Sequence, residues 1–221
     1  FLISLLLVGG YYEKRENKTI WSPYQKLTLL REPKNDLQAQ GYTLQVNNVG
    51  YMGLLDLSDE YTKKLAEKLK GKKLPELFDI RFMNQYNLPF LIKPKSQDIL
   101  IIGSGGGNDI AGALRANVST IDAVEIDPEI INFGEKYHPE HPYDSPKVTV
   151  YNDDGRSFLK RTEKKYDVVI LGLADSHTLT SSQTNVRLDH YLYTKESFTE
   201  IKQRLKPGGI VFVTVPDIAK Y

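Results

Sequence analysis

From about residue 97 to the C-terminus, short apolar runs alternate with amphipathic stretches. The apolar runs predict buried strands at 99–102, 120–124, 148–151, 166–171 and 210–215. The stretches between them predict helices at 109–116, 128–136, 156–161 and 195–205. Strands that alternate with helices form a parallel sheet, whose ligands bind at the carboxyl ends of the strands. The pattern therefore predicts a Rossmann-like α/β fold with five or more mostly parallel strands.

The first half of the chain has short apolar segments separated by turn residues. Between residues 19 and 57 they predict a small antiparallel β unit, with Asn47 and Asn48 as a hairpin turn. Residues 59–70 predict a polar-faced helix that Gly71 ends, and 82–91 predict another helix. We expect the β unit at 19–57 to be followed by one Rossmann-like domain at 58–221.

The N-terminal segment is apolar from residue 1 to residue 8, and a stretch with several basic residues follows it. Eight residues are too few to span a bilayer, which needs about 20, but they match the end of a longer transmembrane helix. A buried N-terminal segment is the alternative, and both stay open. In the first case residues 1–18 are the end of a membrane segment and a linker. The basic residues then predict a cytoplasmic-facing domain of an integral membrane protein.

The amino-acid composition argues against several classes of function. The 221 residues include 29 basic and 28 acidic side chains, so the net charge of +1 predicts no nucleic acid partner. No cysteine is present, which excludes disulfides, a thiolate zinc site and a thiol nucleophile. We predict no metal site.

A glycine-rich loop follows the first strand of the predicted parallel sheet. Gly103, Ser104, Gly105 and Gly107 lie between that strand and a predicted helix. Glycines permit a tight turn and the close approach of a ligand to the backbone at the start of a helix. We therefore interpret these four residues as part of a nucleotide or nucleoside site.

Two acidic positions refine this prediction. Glu125 ends the second strand, where a carboxylate can accept hydrogen bonds from both ribose hydroxyls. Asp154 and Gly155 follow the third strand, where the acid can accept from an adenine amino group and the glycine leaves room for the ring. A dinucleotide fingerprint requires a third glycine where Asn108 stands. The pattern favours a sulfonium nucleoside over a dinucleotide.

Helix capping offers a structural alternative for some of these acids. Asp127 precedes Pro128, an arrangement typical of a helix N-cap, and we assign Asp127 that role. Asp153 or Asp154 is also in position to cap the helix that starts at Arg156, so the role of Asp154 stays open.

Polar residues of the types that take part in catalysis follow the fourth predicted strand. Asp175 is the predicted catalytic base, which takes a proton from an attacking amine. His177, Asp189 and Tyr191 are predicted to contact the substrate or to form a lid, with simple packing or solvation of the loop as the alternative.

At these residues the chain resembles the spermidine synthase family of polyamine aminopropyltransferases, which share the class I methyltransferase fold. The resemblance covers roughly residues 21–215 and is strongest at the glycine loop, 124–128, 154–156, 166–170 and 205–209. The string ADSHTLTSSQTNVRLDHYLYT also resembles spermidine-synthase-like domains fused to multi-pass membrane segments in bacteria.

The resemblance implies a co-substrate, an acceptor and further site residues. The co-substrate is S-adenosylmethionine or its decarboxylated form, and the acceptor is a polyamine or another amine. Gln25, in the segment Ser-Pro-Tyr-Gln, becomes a contact of the nucleoside. A homodimer is compatible with the resemblance, and the oligomeric state stays open. The fold normally adds an antiparallel hairpin after the last parallel strand, and we expect that hairpin to be missing here.

Three departures from the family pattern bear on the reaction. Gly106 stands where the family carries an aspartate that helps to bind the aminopropyl amine, and its loss is expected to relax discrimination against S-adenosylmethionine. The Asp-Ser-Ser-Asp signature becomes 172–175 and keeps only Asp175. The diamine-binding segment has no clear counterpart near 81–85.

Aminopropyl transfer to a polyamine is the leading function on this sequence. The alternatives are methyl transfer from S-adenosylmethionine and a non-catalytic domain that senses a nucleoside or polyamine.

Overall fold

Two β-sheets organise the part of the chain that the computed structural model describes, which is residues 18–31, 40–70, 85–172 and 192–214. The first sheet is antiparallel, with its strands in sequence order. They are β1 (Lys18–Trp21), β2 (Lys26–Arg31), β3 (Gln40–Val46) and β4 (Val49–Leu55). Asn47 and Asn48, between β3 and β4, have φ values of 50° and 69°, as a tight two-residue hairpin turn requires. The predicted β unit and its hairpin are confirmed.

The second sheet has five parallel strands in the order β7-β6-β5-β8-β9. They are β5 (Asp98–Ile102), β6 (Thr120–Glu125), β7 (Val148–Asn152), β8 (Tyr166–Leu171) and β9 (Leu205–Val213). The order reverses between β5 and β8, because β6 and β7 lie on one side of β5 and β8 and β9 on the other. A ligand crevice forms at such a reversal, outside the carboxyl ends of the strands. The predicted fold class is confirmed.

Helices connect the described strands. They are α1 (Asp59–Leu69), α2 (Leu88–Ile92), α3 (Asn108–Arg115), α4 (Pro128–Tyr137), a 3-10 helix (Pro142–Asp144), α5 (Gly155–Arg161) and α6 (Lys195–Gln203). No helix in these ranges is long and apolar enough to cross a bilayer. Residues 1–17 lie outside the described residues, so the membrane-segment interpretation of 1–18 stays a prediction.

Two predicted helix boundaries are wrong. The helix expected at 82–91 begins at Leu88, since Pro89 suits only the first turn of a helix, and residues 82–84 lie outside the described residues. The last helix ends at Gln203 rather than 205, because Leu205 already pairs with Tyr166 in β9. The ladder of β9 has an irregular register before it continues at Ile210.

Residues 99–102 of β5 are all apolar and buried because helices pack on both faces of the sheet. Ile99 and Ile101 of β5 pack into one buried cluster, whereas Leu100 and Ile102 pack into another on the opposite face. Alternate side chains of a strand point to opposite faces, so a strand buried on both faces is a continuous apolar run.

A third cluster attaches the β unit to the Rossmann-like domain. Leu27, Leu44 and Leu54 of the antiparallel sheet pack against Ile130 and Phe133 of α4. All five side chains are at most 2% exposed. Burial of each large side chain contributes about 1.5–3 kcal/mol. This shared cluster therefore holds the two units together.

The Asn108 carboxamide joins four parts of the chain at the start of α3. Its Nδ2 donates to the carbonyl of Gly53 at 2.8 Å and to the Tyr86 hydroxyl at 3.2 Å. Its Oδ1 accepts from the amide of Leu55 at 3.0 Å. The Nε2 atom of His138 lies 3.1 Å from the same oxygen. The side chain therefore links β4, the segment before α2, α3 and the end of α4.

His138 holds a single tautomer in this network. Its Nδ1 accepts from the amide of Glu140 at 3.1 Å, so Nε2 carries the proton that is donated to Asn108. The ring has no exposed surface. Burial lowers the pKa of His138 to about 3, with smaller contributions from the charges of Arg115 and His141. The neutral imidazole is therefore a structural hydrogen-bonding group.

The β unit also closes tightly over the glycine loop. A Cβ atom added at Gly106 would lie 2.3 Å from Cδ2 of Leu54 and 3.1 Å from the sulfur of Met52. Leu54 is fully buried, so it has no free space into which to withdraw. A side chain at position 106, including the aspartate that the family pattern carries there, would therefore have to displace Leu54 from its packed position.

Removal of the Asn108 side chain should lower the free energy of unfolding strongly. Asn108→Ala leaves buried donors and acceptors of β4 and His138 without a partner, and we expect a loss of about 2–4 kcal/mol. Urea unfolding measures the loss. Asn132→Ala is the control, because this exposed residue of α4 makes a single side-chain bond to Glu129, and it should change stability by less than about 0.5 kcal/mol. Equal losses for the two variants would contradict the central role of Asn108.

A methyl group at position 106 should be costly for steric reasons alone. Gly106→Ala should lower the free energy of unfolding by about 1–3 kcal/mol, because it overpacks a fully buried site. Gly41→Ala is the matched control, since nothing lies within 4 Å of its Cβ position and neither glycine has a left-handed φ. Adding Leu54→Ala should make Gly106→Ala less harmful than it is alone. Similar losses at positions 106 and 41, without coupling to Leu54, would show that the close packing is absent.

Candidate active site

Two adjoining cavities lie at the carboxyl ends of the parallel strands. The first cavity, of about 120 Å³, is lined by Gln25, Tyr51, Gly103, Glu125, Asp154 and Gly155 among others. The second cavity, of about 240 Å³, is lined by Tyr51, Gln85, Tyr86, Gly103, Gly106 and Asp109 among others. Tyr51 and Gly103 line both cavities, which therefore meet at the end of β5. A larger cavity of about 310 Å³ includes the C-terminal half of α3 and the segment before β5, away from these strand ends.

The glycine loop turns through left-handed conformations at three positions. Gly103, Gly105 and Gly107 have φ values of 75°, 55° and 102°. Side chains are strained in this region, so each of the three glycines predicted from the sequence is required by the backbone itself.

The amide groups of the loop are all bonded within the protein. The amides of Gly103 and Ser104 donate to the carbonyl of Val124 at 2.8 and 3.0 Å, and the amide of Gly107 donates to the carbonyl of Ser104 at 3.0 Å. The amide of Gly105 donates to Oε2 of Glu125 at 2.9 Å. The amide of Gly106 donates to the sulfur of Met52 at 3.2 Å. A loop that binds a diphosphate directs such amides at the ligand. This loop instead shapes a cavity wall, as a nucleoside site requires.

Glu125 is a buried carboxylate of the first cavity that two backbone amides hold in place. Its Oε2 accepts from the amide of Gly105 at 2.9 Å and its Oε1 from the amide of Asp127 at 3.0 Å. The residue is 5% exposed, and burial raises its pKa although these backbone bonds act in the opposite direction. Each carboxylate oxygen has a second lone pair, so Glu125 still has acceptor capacity for ligand hydroxyls.

Asp127 has two structural roles, of which the sequence predicted one. Its Oδ1 accepts from the amide of Glu129 at 3.0 Å, which is the predicted N-cap of α4. Its Oδ2 accepts from the Ser22 hydroxyl at 2.7 Å and from Nε2 of Gln25 at 3.4 Å. These bonds hold the loop after β1 against the domain and bring Gln25 to the first cavity.

Asp154 caps α5 and lines the first cavity. Its Oδ1 accepts from the amide of Ser157 at 2.8 Å, so the capping alternative is correct for this residue. A Cβ atom at Gly155 would lie 2.4 Å from Cγ2 of Ile102. Close packing of α5 on β5 therefore already explains this glycine, whereas the sequence attributed it to room for a ring.

Tyr143, in the 3-10 helix, supports the loop from below, and sequence reasoning missed it. Its hydroxyl donates to the carbonyl of Gly105 at 2.5 Å and lies 3.1 Å from the Ser104 hydroxyl. Ser104, a predicted contact of the co-substrate, thus uses its side chain within the protein. No local signal marks Tyr143, because its role depends on a contact far along the chain.

Asp109 is a buried acid that the sequence treated only as the start of a helix. It lies in the first turn of α3, is 8% exposed and lines the second cavity. Burial raises its pKa to about 7. Its Oδ2 lies 3.4 Å from the Cβ position of Gly172, so the carboxylate sits where β5 and β8 diverge. The signal available in the sequence was an acidic residue two positions after Gly107.

The predicted catalytic and lid residues cannot be placed in this site. Asp175, His177, Asp189 and Tyr191 lie outside the described residues, and their roles stay predictions. Among the residues that the structure describes, no three His, Asp or Glu side chains are grouped as a metal site would need.

Comparison with curated proteins shows similarity to aminopropyltransferases. The polyamine aminopropyltransferase of Sulfurisphaera tokodaii is 33% identical over 127 residues, which are 56% of this chain and 40% of that protein. The polyamine aminopropyltransferase of Salmonella arizonae is 33% identical over 128 residues, which are 56% of this chain and 42% of that protein. The chain thus spans about two fifths of the length of these relatives.

Comparison with solved structures supports the fold. A spermidine synthase in complex with the transition state analogue AdoDATO has a TM-score of 0.59 and 18% identity, and the match covers 89% of this chain and 57% of that one. A spermidine synthase from Thermotoga maritima has a TM-score of 0.58 and 19% identity, with 89% and 56% covered. These likenesses show a shared Rossmann-like fold.

The family comparison covers the parallel sheet and most of the residues that line the two cavities. The model of the spermine/spermidine synthase domain matches residues 85–218, which is more than half of the chain. The match includes the glycine loop, Glu125, Asp154 and Asp109. The chain therefore belongs to the spermine/spermidine synthase domain family.

Proposed function

We propose that this protein transfers the aminopropyl group of decarboxylated S-adenosylmethionine to a polyamine acceptor. Its family membership supports this function, as do the names of its curated relatives. Fusion of the domain to a membrane segment, a cytoplasmic-facing position and a homodimer remain predictions from the sequence.

One observation carries the nucleoside assignment. The amides of the glycine loop are bonded within the protein, and a buried carboxylate, Glu125, lies beside them in the first cavity. A dinucleotide would bring a diphosphate, whose negative charge the Glu125 carboxylate would repel. A nucleoside brings two ribose hydroxyls, which are donors for the remaining lone pairs of that carboxylate.

The residues around the first cavity fit a nucleoside of this kind. Glu125 would bind the ribose hydroxyls, and Asp154 and Gly155 would border the base. Gln25 would contact the nucleoside from the β unit, and Gly103 would lie beside the sulfonium where the two cavities meet. The second cavity then has room for the aminopropyl arm and the acceptor.

The reaction needs few chemical groups. The nitrogen of the acceptor attacks the carbon next to sulfur, the carbon–sulfur bond breaks, and its electron pair stays on sulfur to give a neutral thioether nucleoside. The new ammonium loses one proton, and Asp175 is the proposed acceptor of that proton. Positioning and a neutral nucleophile supply most of the rate in such a displacement.

An activity assay decides between transfer and binding alone. With decarboxylated S-adenosylmethionine and putrescine, we expect the protein to form spermidine and 5′-methylthioadenosine in equal amounts, measured by mass spectrometry. Asp175→Asn should lower turnover by about 10²- to 10⁴-fold with little change in donor affinity. Transfer of a methyl group from S-adenosylmethionine would instead establish the methyltransferase alternative. Binding without any product, unchanged by Asp175→Asn, would establish the sensor alternative.

Affinity for 5′-methylthioadenosine tests the nucleoside site directly. Glu125→Gln should weaken its binding by about 10- to 100-fold, since one ligand hydroxyl loses a charged acceptor and an amide donor of the protein faces the new NH₂ group. Calorimetric titration gives the dissociation constants. Glu163→Gln, at an exposed position before β8, is the control and should bind as the wild type does. A folded Glu125→Gln variant with unchanged affinity would remove Glu125 from the site.

A further inference from the structure

The second cavity contains a buried acid that has no counter-ion among the residues described by the structure. Asp109 is the charged residue among its described lining residues, and no hydrogen bond or ion pair within the described part of the chain reaches its carboxylate. Burial is the cause that raises its pKa, and no cation among the described residues offsets this desolvation. A buried carboxylate without a compensating cation lowers the stability of the free protein. Such groups cluster at ligand-binding and catalytic sites.

The surroundings of Asp109 suit an alkylammonium group. The side chains of Tyr51, Tyr86 and Met52 supply aromatic and apolar walls for a short carbon chain. The hydroxyl of Tyr86 is held by Asn108. Burial raises the pKa of this phenol, and the charge of Asp109 adds to that effect. An anion at the end of an aromatic-walled cavity recognises a primary ammonium group by charge and by its three donors.

The position of Asp109 relates it to the first cavity. Gly103 lines both cavities, and the carboxylate lies beside Gly172 at the neighbouring strand end. An aminopropyl arm of three carbons that starts at a sulfonium next to Gly103 would extend toward the carboxylate of Asp109. The loop carries no charged side chain, and a side chain at Gly106 would have to displace Leu54 and Met52.

We propose that Asp109 binds the primary ammonium group of the donor's aminopropyl arm and so selects the decarboxylated form of S-adenosylmethionine. The same carboxylate repels the carboxylate that S-adenosylmethionine carries on the carbon beside its ammonium group. Discrimination against S-adenosylmethionine is then retained in spite of Gly106, contrary to the expectation from the sequence. This role rests on the proposed transferase function, and it adds the residue that determines which donor is used.

The ammonium site has a defined dependence on pH. The described titratable groups that the charge of Asp109 reaches are the phenols of Tyr86 and Tyr143, which stay protonated near neutral pH because their pKa values are raised. An ammonium ligand favours the ionised carboxylate, so binding at pH 7 should release about half a proton from a group with a pKa of about 7. Below that pH, donor affinity should fall by up to about tenfold per pH unit.

The test compares two nucleosides that differ in the ammonium arm. Decarboxylated S-adenosylmethionine carries the arm, whereas 5′-methylthioadenosine lacks it, and both use the first cavity. Calorimetric titrations of the wild type, Asp109→Asn and the exposed control Glu163→Gln would be run in buffers of different ionisation enthalpy, which also yields the protons released. S-Adenosylmethionine and putrescine alone are the two further ligands.

Asp109→Asn should weaken binding of the decarboxylated donor by about 10- to 100-fold and leave 5′-methylthioadenosine unchanged. Its preference for the decarboxylated donor over S-adenosylmethionine should shrink by about tenfold or more, and the proton release specific to the donor should vanish. Parallel changes for the two nucleosides, or none, would overturn the assignment of Asp109. Loss of putrescine binding alone would also overturn it, because the acid would then serve the acceptor. Failure of the wild type to bind 5′-methylthioadenosine would instead refute the nucleoside site and with it the proposed function.

Discussion

The hydrogen bonds of the Asn108 carboxamide are the constraint on which the site depends. They hold β4 against the first turn of α3 and connect both to His138 and Tyr86. A carboxamide is suited to this position because it donates and accepts at once. A third glycine, as a dinucleotide fingerprint has there, would remove the two hydrogen bonds that hold β4 to α3. In the sequence, Asn108 argued against a dinucleotide site. In the structure, the same residue holds together the elements around the two cavities.

Close contact between β4 and the glycine loop has a chemical consequence. Met52 accepts from a loop amide, and Leu54 occupies the space beside Gly106. The loop is thus a packed wall, and among the described lining residues the charged groups are carboxylates at the borders of the two cavities. Glu125 supplies charge on the nucleoside side and Asp109 on the opposite side. This division matches a ligand with a hydroxyl-bearing sugar at one end and a cation at the other.

The buried acids cost stability that the scaffold must offset. Burial raises the pKa values of Glu125 and Asp109, so the folded protein retains protons that the unfolded chain releases. For Asp109, whose pKa is about 7, the contribution to stability falls as pH rises from about 4 to 7. His138 acts in the opposite sense, because its lowered pKa removes stability as pH falls below about 6.5. Large apolar clusters on both faces of the sheet provide the compensation.

The sequence by itself determined the fold class, because its signals are local. Uninterrupted apolar runs marked strands covered on both faces, Asn47 and Asn48 marked a two-residue turn, and Asp127 before Pro128 marked a helix cap. The tertiary structure alone decided which polar residues are buried and what they face. The position of Asp109 in the second cavity and the close packing at Gly106 both involve β4, which lies far away along the chain. Burial and steric closeness are properties of distant segments brought together, so no local pattern encodes them.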